Sequence, residues 1–113
     1  MLKVSLRRIK PGHENRLKQW FKEMMGRQDE VRETFRQETV RHEIAYILED
    51  AEGLILVYAV EVEDYEKGRQ AFQESRLPID IEHKAIMAES LGERLRIEPI
   101  YECAIKAFDR QSS

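Results

Sequence analysis

The hydrophobic pattern turns on one short run. Leu54 to Val60, within GLILVYAVEVED, is apolar without interruption, β-branched and aromatic. Such a run is too dense to alternate and too short for a buried helix, so it predicts a central strand covered on both faces. Ahead of it, Val40 to Glu49 alternates. One face carries Val40, His42, Ile44, Tyr46 and Leu48, and the other Arg41, Glu43, Ala45, Ile47 and Glu49. The first of these faces, being the more apolar, is the one expected under helices. The polar tetrapeptide Asp50-Ala51-Glu52-Gly53 joins the two strands as a hairpin. Near the N-terminus Leu2, Val4 and Leu6 alternate with Lys3, Ser5 and Arg7. This predicts a first strand, ended by Lys10-Pro11-Gly12. A last strand is expected over Arg96 to Ala107, with Tyr101, Cys103 and Ile105 facing the core and Pro99 confining it to an edge.

Between the strands the period changes. Leu17, Trp20, Phe21 and Met24 recur at spacings of three and four, and Val31 and Phe35 stay in phase. One helix from His13 to Glu38 would be ~40 Å long, roughly 10 Å beyond the reach of the strands. A break is therefore expected at Gly26, with Asp29 capping or charge-stabilising the second segment. Asp64 reads as the N-cap of a helix containing Tyr65 and Phe72, in which Gly68 permits close packing. Leu77-Pro78 stops that helix. Asp80 then reads as the N-cap of a further helix, ended by Gly92.

The element order is β-α-β-β-α-(α)-β, the ferredoxin-like plan. The expected fold class is α+β, an antiparallel sheet in strand order 4-1-3-2 with the helices on one face. Residues 1–108 form the expected domain and residues 109–113 a polar tail. The second face would leave Ile55, Val57, Ala59, Ala45, Ile47 and Ile100 wet. A patch of that size calls for cover. A second copy, sheet against sheet, would give a dimeric α/β barrel, and the extra helix after Pro78 is the alternative cover.

Composition narrows the function classes. The 113 residues are 36% charged and 42% hydrophobic, the balance of a globular protein. There are 19 basic and 22 acidic residues, a net charge of −3, so no basic excess argues for nucleic acid. No apolar run approaches the ~20 residues of a membrane span. The segment MLKVSLRRIKPG lacks the apolar stretch of a signal peptide, and the lone Cys103 permits no internal disulfide. A cytoplasmic setting is the expectation.

Two segments carry a resemblance. VSLRRIKPG (residues 4–12) and ESRLPIDIEHKAIM (residues 74–87) look like an uncharacterised family of small bacterial proteins, a domain of unknown function. The resemblance spans most of the chain and implies no activity. At the level of the fold plan, the chain is similar to the dimeric α/β barrels, which include monooxygenases, haem-degrading enzymes and sugar mutarotases.

Candidate chemistry centres on His83 and Asp80. Three residues apart at a helix start, they share a face. One reading is an acid or base oriented by a carboxylate. The plainer reading is an N-cap beside a first-turn histidine. Glu43 is a second candidate to orient His83, and Arg7 a candidate to bind an anionic group. The plainer reading of Lys3, Arg7, Glu43, Glu61, Glu98 and Glu102 is salt bridges at a barrel rim. His42 reads as a half-buried histidine under the helices, Tyr46 and Tyr58 as packing residues, and Cys103 as a small buried hydrophobe. No phosphate-binding glycine loop, CxxC pair or nucleophile elbow occurs, and no cofactor or metal is expected. Two function classes follow: a homodimeric small-molecule-binding protein with acid/base (isomerase or monooxygenase-like) chemistry, and a non-catalytic dimerisation or sensor module.

Overall fold

The computed structural model describes residues 1–105. Its elements are β1 (Leu2–Ile9), α1 (Glu14–Met25), α2 (Gln28–Glu38), β2 (Val40–Asp50), β3 (Gly53–Val62), α3 (Tyr65–Glu74), α4 (Pro78–Ser90) and β4 (Leu91–Leu95). The four strands form one antiparallel sheet in the order β2-β3-β1-β4, with β1 and β3 central. The apolar run Leu54 to Val60 thus occupies the sheet interior.

The helical stretch breaks at Gly26, as its length demanded. The Gly26 N–H donates to the carbonyls of Glu23 and Lys22, and α2 restarts after Arg27. Arg27 holds the elbow. Its guanidinium reaches Glu23, Glu30 and Glu82 at 2.7–2.8 Å, tying α1, α2 and α4 together. Asp29 lies in the first turn of α2, where its charge favours the helix N-terminus, though Arg27 occupies the cap position. Asp64 caps α3 by accepting from the Lys67 N–H at 3.1 Å. Gly68 packs where a Cβ would collide with the Glu38 carbonyl oxygen, so α3 crosses the end of α2 at backbone contact.

The hairpin is closed by Asp50, which accepts from the backbone N–H groups of Glu52 and Gly53 at 2.9 and 3.1 Å. Gly53 supplies a φ of +137° that other residues avoid. Beneath the helices, the core joins Ile9, Leu17, Trp20, Leu56, Ile79, Ile86 and Leu91.

Three expectations change. The strand beside β1 is Leu91–Leu95, not Arg96 to Ala107. The chain leaves α4 at Ser90, whose carbonyl accepts from the Lys10 N–H at 2.8 Å, and passes straight into the ladder. Gly92 is a strand residue there instead of a stop signal. Residues 96–105 form no strand, and Cys103 is exposed instead of buried. Residues 106 and 107 of the expected strand, and the polar tail, lie outside the described residues.

The two faces of β2 are also exchanged. Residues directly opposite across a ladder share a face. Ala45 pairs with Tyr58 and Ile47 with Leu56, and Leu56 lies in the core, so Glu43, Ala45 and Ile47 face the helices. His42, Ile44, Tyr46 and Leu48 face away, and His42 is exposed. Third, the uncovered face is therefore richer than expected. It joins Leu2, Val4 and Leu6 of β1 with Ile44, Tyr46 and Leu48 of β2 and Val57 and Ala59 of β3. Leu2 is 55% exposed and Tyr46 58%. Helix α4 packs on the helix side, in contact with α1 and the core, and leaves that face open.

Candidate functional site

The polar residues that do not fit a core gather between sheet and helices. His83, on the second turn of α4, lies within 5.8–6.3 Å of the rings of Trp20, Phe21, Tyr58 and Phe72, centroid to centroid. The Trp20 indole N–H donates to His83 Nδ1 at 2.8 Å. An indole nitrogen can only donate, so Nδ1 is an acceptor and the neutral ring carries its proton on Nε2. Burial pushes the imidazole pKa down to about 4, against the upward pull of the Asp80 charge. At neutral pH His83 is therefore an uncharged donor, fixed in one tautomer by Trp20.

Glu43 reaches the same space from β2. The Tyr58 hydroxyl, on the adjacent strand, donates to Glu43 Oε1 at 2.5 Å. Burial pushes the Glu43 carboxyl up to about 7; the Tyr58 bond pulls it back and the Asp80 charge pushes it further. Burial and the neighbouring Glu43 charge hold the Tyr58 phenol well above its usual range.

Asp80 is not the N-cap of α4; Leu77 holds that position and Pro78 opens the helix. Proline at the first helical position has no N–H to satisfy and a preset φ, so the helix starts two residues ahead of the aspartate. Asp80 instead lies buried at 3% exposure, accepting from Thr34 Oγ1 at 2.6 Å and Ser75 Oγ at 2.5 Å. It forms no hydrogen bond with His83, and acts on it through charge alone. Thr34 Oγ1 also lies 2.5 Å from Glu38 Oε2. One hydroxyl proton cannot serve two carboxylate oxygens, so one of the two contacts is donated by a carboxyl O–H. Glu38 is that carboxyl. Burial raises its pKa to about 7 and the charges of Asp80 and Glu43 add to the rise, so its acid form is at hand to donate; in its ionised form Glu38 accepts from Thr34 Oγ1 instead, which pulls the pKa back. The chain Glu38–Thr34–Asp80–Ser75 thus links α2 to α4 through a shared proton.

These groups line connected spaces. A cavity of about 200 Å³ is bounded by Glu38, Glu43, Tyr58, Asp80 and His83. A second, of about 520 Å³, shares Tyr58 and His83 with it and is bordered by Arg7, Lys84 and Arg94. A third, an open groove of about 600 Å³ between α1, α2 and β2, shares Glu43 and Tyr58 with the first. The structure thus brings His83, Asp80 and Glu43 to one cavity, and Arg7 to its neighbour. Arg7 donates from Nε and Nη2 to the Gly92 carbonyl at 3.2 and 2.8 Å, not to a carboxylate at a barrel rim. Trp20, Thr34, Glu38 and Tyr58 were missed as site residues. Glu43 and Tyr58 signal each other only once the inward face of β2 is known. Among the described residues, no three His, Cys, Asp or Glu side chains are grouped to hold a metal ion.

The model of a family of unknown function, DUF6176, matches residues 2–106. The chain belongs to the DUF6176 family. Searches of curated proteins and of solved structures return no match. For this DUF6176 member the functional argument therefore rests on the cavity itself. Among the described residues no helix is long and apolar enough to cross a membrane.

Proposed function

We propose that the chain is a homodimeric α/β-barrel protein that binds a small organic molecule on the helix side of its sheet and moves a proton there. Glu43 is the base. Its carboxyl titrates near neutrality, where a general base works best. His83 serves as the hydrogen-bond donor to the oxygen on which negative charge develops, a neutral imidazole doing what an oxyanion hole does. The observation that carries this reading is that Glu43 and a tautomerically fixed His83 line one cavity. The step balances simply. A C–H next to a carbonyl gives its proton to the Glu43 carboxylate, and the electron pair moves onto the carbonyl oxygen as an enolate. The pair then returns and the Glu43 acid gives a proton back to the same carbon, on either face, so the carbonyl is restored with its α-proton exchanged or its α-carbon inverted. Asp80 positions the start of α4, and Arg7 meets an anionic group of the substrate.

The test is proton exchange in D₂O, followed by NMR over a panel of 2-oxo and 3-oxo acids. The wild-type protein is expected to remove an α-proton signal from at least one member, and Glu43→Gln to leave it. Equal rates for both proteins across the panel would reject the catalytic reading.

The open sheet face supports the homodimer, and it also favours a second reading, a non-catalytic dimerisation module. Two copies of the Leu2–Val4–Ile44–Tyr46–Leu48 face would cover each other about a two-fold axis. Tyr46→Glu is expected to give a monomer by sedimentation equilibrium where the wild type is dimeric. A monomeric wild type would remove both the barrel and the module.

A further inference from the structure

The cavity system has opposite characters at its two ends, and this bears on what it binds. At one end Arg7 of β1 and Arg94 of β4 are direct cross-strand partners on the helix face. Like charges placed opposite each other destabilise a sheet. Lys84 of α4 borders the same space, its ammonium held by the carbonyls of Gln73 and Ser75 at 3.1 and 3.3 Å. Among the described residues none of the three cations forms an ion pair, and no carboxylate lines this cavity. That is unusual ground in a chain with a net charge of −3. The Arg7 fork is already fixed by Gly92, so it loses little freedom on meeting an anion.

At the other end the groove is mostly apolar, walled by Phe21, Met24, Val31 and Phe35 of the two helices and floored by Ala45 and Ile47, with Lys18, Lys22, Gln28 and Arg32 also bordering it. Tyr58 and Leu56 border both ends, and the Glu43–His83 cavity lies between them.

We propose that the ligand of this site is an amphipathic organic anion, its carboxylate seated between Arg7 and Arg94 and its apolar body lying in the α1–α2 groove. This assignment rests on the helix-side cavity being the functional site. It does not require that the site be catalytic. The anion relieves the Arg7–Arg94 repulsion, and the aliphatic or aromatic body lies against the apolar walls of a groove whose polar neighbours, Lys18, Lys22, Gln28 and Arg32, have long side chains that reach water. A ligand so placed spans the Glu43 carboxyl and the His83 ring.

The test is isothermal titration calorimetry with octanoate, octan-1-ol and acetate, with the Trp20 indole N–H resonance as the reporter of where binding occurs. Octanoate is expected to bind and to shift the Trp20 signal, with the alcohol and acetate each weaker by about tenfold or more, the loss of a charge-assisted contact or of the chain burial. Arg94→Gln, on an exposed edge strand, is expected to weaken octanoate by a similar factor of about ten. Lys84→Gln is the second variant should the first fail to fold. Equal affinity for acid and alcohol, no octanoate binding, or a Trp20 signal that does not move would overturn the assignment. Binding without proton exchange defeats the catalytic reading alone, and exchange without octanoate selectivity defeats the ligand class alone.

Discussion

Replacing Glu43 with glutamine isolates the energetic cost of the site. In the folded chain this carboxyl titrates near 7 because burial disfavours its charge; in an unfolded chain it titrates near ~4.3. The folded state therefore holds a proton over that interval which the unfolded state has lost. Stability is highest below the unfolded value and falls as pH rises through the interval, with the full penalty present above about 7. At ~1.4 kcal/mol per tenfold the bound is roughly 3–4 kcal/mol. The side chain is half-buried and opens onto the cavity, so screening brings the expectation to ~1.5 kcal/mol. Glutamine keeps the shape and an acceptor for the Tyr58 hydroxyl but carries no charge. Urea unfolding at one fixed protein concentration is the assay. Near pH 4 the two proteins are expected to be about equally stable, and near pH 8.5 the variant more stable by ~1.5 kcal/mol, a rise of roughly 1 M in the midpoint. A variant equal to or weaker than wild type at the higher pH would refute the argument that Glu43 is held against its charge.

Three further outcomes are expected. Gly68→Ala, normally worth ~1 kcal/mol in favour of a helix, should instead lower stability by ~2 kcal/mol, because its Cβ meets the Glu38 carbonyl; a higher melting temperature would refute the close contact. Trp20→Phe removes the donor to His83 Nδ1, so ¹⁵N NMR of the imidazole should change from a single Nε2–H tautomer to a mixture; an unchanged spectrum would refute the fixing role. His83→Gln should flatten the acid side of the stability profile. The folded imidazole stays neutral down to about 4 while the unfolded one protonates near 6.5, so wild-type stability falls as pH drops through that interval. A variant with the same acid limb would refute it.

Much of the architecture was legible from pattern alone, because hydrophobic period and turn chemistry act locally. The dense run at Leu54 to Val60 could only be a covered strand, and the length mismatch forced the elbow at Gly26. What failed depends on choices the chain makes in three dimensions. The faces of β2 differ in apolarity, but their assignment is set by register against β3, in which Leu56 points to the core. The more apolar face was left open, the reverse of what a monomer's core would dictate. The short β4 has charged residues at Glu93 and Arg94 and a glycine at its second position, so it has no strand signature; it forms because α4 delivers Leu91 beside Ile9. His83 and Asp80 were visible as a helical pair, but their partners were not. Trp20 lies 63 residues from His83, and Thr34 lies 46 from Asp80.

The two sides of His83 explain why the helix side of this sheet tolerates so many polar groups. Toward α2 stand three carboxyls with no cation beside them in the cavity, and toward β4 stand three cations with no carboxylate. A fold selected for stability alone would pair the two sets where they approach, since opposite charges attract more strongly as water is excluded, and Arg7 and Lys84 are half-buried while Arg94 is exposed. Here Tyr58, Phe72 and His83 line both spaces, and the imidazole between them is neutral. The carboxyls respond by taking up protons, as Glu38 and Glu43 do near 7, and the arginines remain opposed across the β1–β4 ladder. Unpaired charge of both signs costs stability that a ligand with its own charge and apolar body would return. That cost is the physical basis for reading the cavity as a binding site and not as packing.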